Sequence, residues 1–182
     1  MNSKQVTMQR TIYLIGFMGS GKSHVGKKLA KALYCPFVDL DAFIESSSGM
    51  QIREIFAEHG EAYFRLLERR TLQDMAFGPK RIVATGGGAP CFFNNMKWIN
   101  QHGLAIYLDA TSGVLAERLW RGRVKRPLLA GLQKEDLFPF IERKIAERRT
   151  YYNQAPIHYR ITNALQDTAS DLLHNLEQIT GH

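Results

Sequence analysis

Cysteine is nearly absent: Cys35 and Cys91 are the only two in 182 residues. Neither CxxC spacing nor neighbouring histidines accompany them, which excludes a thiolate zinc site and a disulfide framework and points to a reducing, cytoplasmic setting. Long apolar runs are missing as well. The first ten residues are polar, and the stretch from Ile12 to Phe17 is too short for a signal-peptide core or a membrane span, so neither export nor a membrane partner is expected. No internal repeat and no low-complexity linker interrupts the chain. Its length fits one domain, expected over 11–182 with 1–10 as an N-terminal extension. A composition of 45% hydrophobic and 23% charged residues argues against disorder.

Acidic residues are missing from one end. Met1 to Lys31 holds six Lys or Arg and no Asp or Glu, and Arg118 to Arg149 holds ten against four, within a formal net charge of +7. A basic balance raises nucleic acid as a partner. These stretches, however, lack the interleaved aromatics of an RNA-binding sheet and the pattern of a helix-turn-helix. The polyphosphate of a nucleotide is the more economical anion, and a monomer without nucleic acid is expected.

What is present begins with five short runs rich in Val, Ile and Tyr, TIYLIG, PFVDL, RIVAT, LAIYLD and HYRIT, which read as strands. Helical spacing follows four of them. Val25, Leu29 and Leu33 mark one helix; Ile52, Ile55 and Phe56 mark a second that closes near Gly60; Phe64, Leu67 and Met75 mark a third that runs to Gly78-Pro79. Thr111 caps a helix carrying Leu115 and Leu119, and a long helix from about Lys134 to Tyr152 aligns Ile141, Ile145 and Arg148. Thr168 with Asp171 resembles a capping box for the last. Strands alternating with helices predict an α/β protein whose parallel sheet is covered on both faces and binds ligands at the carboxyl ends of its strands.

Gly16-Phe17-Met18-Gly19-Ser20-Gly21-Lys22-Ser23 is a GxxxxGKS run between an expected strand and an expected helix, the context a phosphate-binding loop requires. Its glycines let backbone N–H groups turn towards phosphate oxygens, Lys22 reaches the β- and γ-phosphates, and Ser23 offers its hydroxyl to Mg²⁺. A glycine-rich turn without a ligand would leave a buried lysine without purpose. Asp39-Leu40-Asp41 ends the second expected strand, where alternation sends both carboxylates to one face. One can hold the water shell of Mg²⁺ while the other accepts a hydrogen bond from an attacking hydroxyl; the plainer alternative is that Asp41 only caps the next helix. Gly86-Gly87-Gly88 follows a third strand, either to admit a small ligand close to backbone or as a plain turn. Arg65 and Glu68 are spaced to pair on one helix face, most often a solvated one. Arg148 sits on an apolar face, where an unpaired guanidinium is costly, so an anionic partner is expected. Arg123 to Gly131 turns from basic to apolar between two helices and reads as a lid, taken over 121–133; its cations either lie in solvent or close over a triphosphate.

GFMGSGKS, FVDLD, the Phe64-Arg65 pair, GGG, RPLLAG and ERRTYY, in this order and spacing, resemble shikimate kinase from about Thr11 onward. The resemblance implies a P-loop NTPase of the nucleoside monophosphate kinase-like type, a three-layer α/β/α sandwich on a five-stranded parallel sheet. It also implies ATP and Mg²⁺, shikimate phosphorylated at its 3-hydroxyl, and a place in the pathway to chorismate and aromatic amino acids. By the same resemblance Gly19, Ser20, Gly21, Lys22 and Ser23 would bind the ATP phosphates and Mg²⁺, Asp39 would support the metal through water, and Asp41 would receive the substrate hydroxyl. Arg65 and Arg148 would grip the substrate carboxylate, Glu68 would orient Arg65, and Gly87 would contact the ring hydroxyls through its backbone, with Gly86 and Gly88 also binding the substrate. Arg126 in the lid would touch the phosphates and act in catalysis with Lys22 and Asp41. Arg118 would lie on the adenine, whose loop is expected near Asn163 to Asp167. Gluconate and nucleoside monophosphate kinases share the P-loop, lid and arginines, but Asp39, Asp41 and GGG together favour a polyol acid over a base. A GTP-dependent switch would need NKxD and a DxxG after a strand, which the chain lacks.

Overall fold

The computed structural model describes residues 10–122 and 133–180. Most of the expected lid, with Arg126, and the expected extension up to Gln9 lie outside the described residues. All five expected strands form, as β1 (Thr11–Ile15), β2 (Phe37–Asp39), β3 (Ile82–Ala84), β4 (Gly103–Ala110) and β5 (Ile157–Ile161). They make one parallel sheet in the order β2-β3-β1-β4-β5, with Leu14 of the middle strand opposite Ala84 on one side and Ile106 on the other.

Every residue of β1 is buried, because a mid-sheet parallel strand has a layer on each face. Period-two alternation divides them. Ile12 and Leu14 join one core with Val25, Leu29, Leu115 and Ile141, whereas Tyr13 and Ile15 join the other with Leu40, Ile44, Phe64 and Leu72. Each fully buried aliphatic side chain of this kind contributes about 1.5–3 kcal/mol. A one-residue slip would forfeit that on both faces, so the register is well specified.

The first core is covered by α1 (Lys22–Ala32), α5 (Ser112–Arg121), α6 (Lys134–Tyr152) and α7 (Thr168–Thr180). The second lies under α2 (Leu40–Ser48), α3 (Ile52–Asp74) and α4 (Asn95–His102), which completes the three-layer sandwich. The stop expected at Gly60 appears inside α3 as a break with φ 80° and ψ 172°, a left-handed conformation that glycine adopts without strain. Two helical segments therefore join end to end, and Glu61 opens the second. Thr111 caps α5 by accepting from the Val114 amide at 3.4 Å. The capping box expected for α7 does not form: Thr168 is already its first residue, and the Asp171 carboxylate takes the Tyr159 hydroxyl. The spacing does not announce α2 and α4, which bury only two and three residues each. Among the described residues no helix is long and apolar enough to cross a membrane, and Cys35 and Cys91 form no disulfide.

Candidate active site

The sheet order sets the carboxyl ends of β2, β3 and β1 side by side, and the loops leaving them build one cleft. Gly16, Gly19 and Gly21 of the first loop have φ of 141°, 83° and 100°, values that a side chain would strain. Gly16 is doubly constrained, since a Cβ there would lie 2.8 Å from the Leu108 carbonyl of β4. Lys22 is buried in the curl so formed, its ammonium donating to the carbonyls of Gly16 at 2.9 Å and Phe17 at 3.0 Å. Arg118 of α5 donates to the Ser20 carbonyl at 3.2 Å and the Ala164 carbonyl at 3.0 Å. It thus ties the P-loop to the 163–167 stretch expected to flank adenine. Between them opens a cavity of about 530 Å³, bordered by Gly21, His24, Lys28 and the 164–169 segment. A second, of about 350 Å³, is lined by Lys22, Ser23, Asp39, Asp41, Thr85 and Gly87.

The second loop corrects the strand reading of Asp39-Leu40-Asp41. β2 ends at Asp39, and Asp41 stands in the first turn of α2. The capping carboxylate is Asp39, not Asp41: one oxygen accepts from the Ala42 amide at 3.4 Å and the other receives the Ser23 hydroxyl at 2.5 Å. Both carboxylates still line the smaller cavity. Burial, and then the negative Asp39 nearby, push the Asp41 carboxyl above the usual carboxylate range.

Gly86-Gly87-Gly88 proves to be a packing requirement more than a turn. A Cβ on Gly86 would lie 2.6 Å from Glu68 Oε1 and 2.7 Å from Asp41 Oδ1, and one on Gly88 would lie 2.9 Å from Arg65 Nη2. Charged side chains from α2 and α3 close on the glycine backbone from two sides. Arg65 donates through Nη1 to Glu68 at 2.8 Å. This pair is not solvated: Glu68 is only 1% exposed, and burial lifts its carboxyl to about 7 against the opposing pull of Arg65. On the far wall, Arg148 of α6 donates to the Gly87 carbonyl at 3.2 Å and covers the Phe17 ring at 5.4 Å. Arg148, for which an anionic partner was expected, thus meets a backbone carbonyl and an aromatic face beside the cleft.

Two residues of the site escape sequence reasoning. Glu61 holds Arg65 at 3.1 Å, and the buried Tyr152 hydroxyl donates to the same Gly87 carbonyl at 2.6 Å. Each lies four positions from the arginine it accompanies, a helical spacing that could have found them. The Ser23 hydroxyl and the Asp39 carboxylate are hard oxygen donors next to Lys22, which suits an Mg²⁺ ion that keeps most of its water. Among the described residues no three His, Cys, Asp or Glu are grouped to enclose a metal.

A GxxxxGKS loop curled round its lysine, with carboxylates and arginines gathered beside it on a 2-3-1-4-5 parallel sheet, defines a P-loop small-molecule phosphotransferase. The model of the shikimate kinase family matches residues 18–179. A shikimate kinase of Bacteroides fragilis is 41% identical over 148 residues, 81% of this chain and 83% of its own. One of Azobacteroides pseudotrichonymphae is 40% identical over 168 residues, 92% and 97%. Among solved structures, the shikimate kinase of Bacteroides thetaiotaomicron superposes with a TM-score of 0.88 at 34% identity, covering 95% of this chain and 99% of that one. The shikimate kinase of Acinetobacter baumannii in complex with shikimate gives 0.83 at 32%, with 99% and 98% covered. The chain belongs to the shikimate kinase family.

Proposed function

We propose that this chain transfers the γ-phosphoryl group of ATP to the 3-hydroxyl of shikimate, yielding shikimate 3-phosphate and ADP on the route to chorismate and aromatic amino acids. The carrying observation is that Asp41, Arg65, Glu68 and Arg148 converge on the Gly86–Gly88 backbone beside the P-loop. A carboxylate acceptor for a hydroxyl and two guanidinium groups for a carboxylate are what a hydroxylated ring acid requires.

In this reading the amides of Gly19 to Ser23 receive the phosphates, and Lys22 exchanges its two carbonyl contacts for β- and γ-phosphate oxygens. Arg118 and the 164–169 segment border the larger cavity, which is assigned to adenine and ribose. Ser23 and, through water, Asp39 would hold Mg²⁺, which supplies charge neutralisation on the phosphates. Arg65 and Arg148 bind the substrate carboxylate, the Gly87 backbone meets a ring hydroxyl, and Asp41 accepts the hydrogen bond of the attacking hydroxyl, orienting it in line with the γ-phosphorus. Asp41's raised pKa makes it a better proton acceptor once that hydroxyl begins to ionise. Arg126 is assigned to the phosphates on sequence resemblance. The enzyme is read as a cytoplasmic monomer.

A coupled assay for ADP release across shikimate, gluconate and nucleoside monophosphates tests the proposal. Turnover should require shikimate, and Lys22→Met should abolish nearly all of it while leaving the fold intact. Faster turnover of gluconate or of a nucleotide would overturn the substrate assignment.

A further inference from the structure

Arg65 is the best candidate for receiving the substrate carboxylate, yet its polar edges are already in use. Phenyl rings surround the guanidinium, with the centroids of Phe92, Phe64 and Phe56 at 4.3, 5.1 and 5.9 Å from its central carbon. A ligand must therefore approach in the guanidinium plane. In that plane Nη1 is tied to Glu68 at 2.8 Å. Gly88 crowds the Nη1–Nη2 end from above that plane, where a Cβ would lie 3.0 and 2.9 Å from the two nitrogens and 3.1 Å from the central carbon. The remaining edge is formed by Nε and Nη2, the side-on fork best suited to a carboxylate. Glu61 holds it: one oxygen of its carboxylate accepts from both Nε and Nη2 at 3.1 Å.

The two glutamates differ in character. Glu68 is 1% exposed at its side chain and fixed under the glycine loop, whereas the Glu61 side chain is 58% exposed. Glu61 also follows immediately on the Gly60 break and opens the second segment of α3. A carboxylate in the first turn of a helix is stabilised by the backbone amides there. Glu61 can therefore release Arg65 without stranding its own charge. A buried glutamate could not.

From this geometry we infer that Glu61 is a tethered stand-in for the substrate carboxylate, occupying the side-on fork of Arg65 in the free enzyme and giving it up when the acid arrives. The inference rests on the reading that Arg65 binds that carboxylate. Its consequence is an intramolecular competitor built into α3, which keeps the clamp neutralised and aligned between turnovers and lowers affinity for the acid. Compounds that reach Arg65 without a carboxylate gain nothing from its removal.

The test is calorimetric titration of shikimate into the wild type and into Glu61→Gln and Glu61→Ala, paired with steady-state kinetics. Both variants should fold normally, since the side chain is exposed; melting curves check this. Shikimate should bind about two- to fivefold more tightly to each variant, the size expected on freeing an exposed ion pair. The KM for ATP should not change, and kcat should stay within about twofold. Shikimate methyl ester, which keeps the hydroxyls and lacks the charge, should bind wild type and variants alike. Weaker or unchanged shikimate binding in the variants would overturn the inference; weaker binding would mark Glu61 as a residue that positions Arg65. An equal gain for the ester would overturn it too. Failure of the wild type to bind or phosphorylate shikimate at all would instead remove the functional reading beneath it.

Discussion

Asp39 and Asp41 are two residues apart, yet their surroundings give them different work. Asp39 shares its oxygens between the α2 amide and Ser23, while Asp41 faces the glycine loop and Glu68. Asp41→Asn keeps the shape and loses the strong acceptor, so kcat should fall by about 10²- to 10⁴-fold, and added Mg²⁺ should not restore it. Asp39→Asn should instead raise the Mg²⁺ concentration needed for half-maximal rate. A shared Mg²⁺ response would erase the distinction. Glu68 carries a separate prediction for stability. The groups facing it are Arg65 on its own helix, Asp41 from α2, and Cys91 and Arg148 across the glycine loop. Burial raises its carboxyl from the ordinary 4.5 to about 7, so the folded state holds a proton that the unfolded chain has already lost. Stability should therefore decline as pH rises from 4.5 towards 7, by up to about 3 kcal/mol from this group. Glu68→Gln removes the titration, so its melting temperature relative to wild type should improve over that window. A pH-independent difference would show that Glu68 ionises normally.

The glycine loop and the helices behind it act as one element. Gly86→Ala places a methyl within 2.7 Å of two carboxylate oxygens, and Asp41 must shift to admit it. Displacements of about 1 Å at a reacting group can cost 10²-fold, so kcat/KM for shikimate should drop by about that factor while the KM for ATP holds. Gly113→Ala is the control. It lies in α5 with nothing within 4 Å of its Cβ position, and it should be neutral or stabilising by up to about 1 kcal/mol. Elements differ in how far the sequence discloses them. β1, β3 and β4 were legible because parallel, doubly covered strands are written as near-continuous apolar runs, the edge strand β5 because its Ile and Tyr alternate with exposed His158 and Arg160, and α6 because its apolar positions recur over 19 residues. Short helices such as α2 and α4 carry too few buried positions to establish a period. At Asp39-Leu40-Asp41 two acids flanking a leucine fit an alternating strand as well as a capped helix start, and only the sheet register decides. The P-loop was legible because backbone geometry dictates its glycines. Glu61 and Tyr152 stand at a legible four-residue spacing from Arg65 and Arg148, but that spacing does not disclose that Tyr152 reaches the Gly87 carbonyl across the cleft.

For the whole molecule, the position of β1 sets a timetable for synthesis. The strand in the middle of the sheet is the first to be made, and its hydrogen-bonding partners β3 and β4 lie about 70 and 90 residues further along the chain. Gly16, the first residue of the P-loop, rests on the Leu108 carbonyl, and Arg118 and Ala164 complete the ring round Ser20. At about 5–20 residues per second, the ribosome needs roughly 5–20 s to travel from Ile15 to Ala110. Until β3 follows, about 70 residues on, TIYLI is an uncharged, β-rich segment without a sheet partner, and its other edge stays open until β4 is made, the kind of window that seeds aggregation. A chain ending at His102 contains the whole GxxxxGKS run and should nevertheless bind no ATP and be cut freely by protease; a protected, nucleotide-binding fragment of that length would refute the dependence. A strand order that makes the finished sheet secure therefore leaves the newborn chain with its first strand uncovered, and Lys22 emerges long before there is a pocket to hold it in.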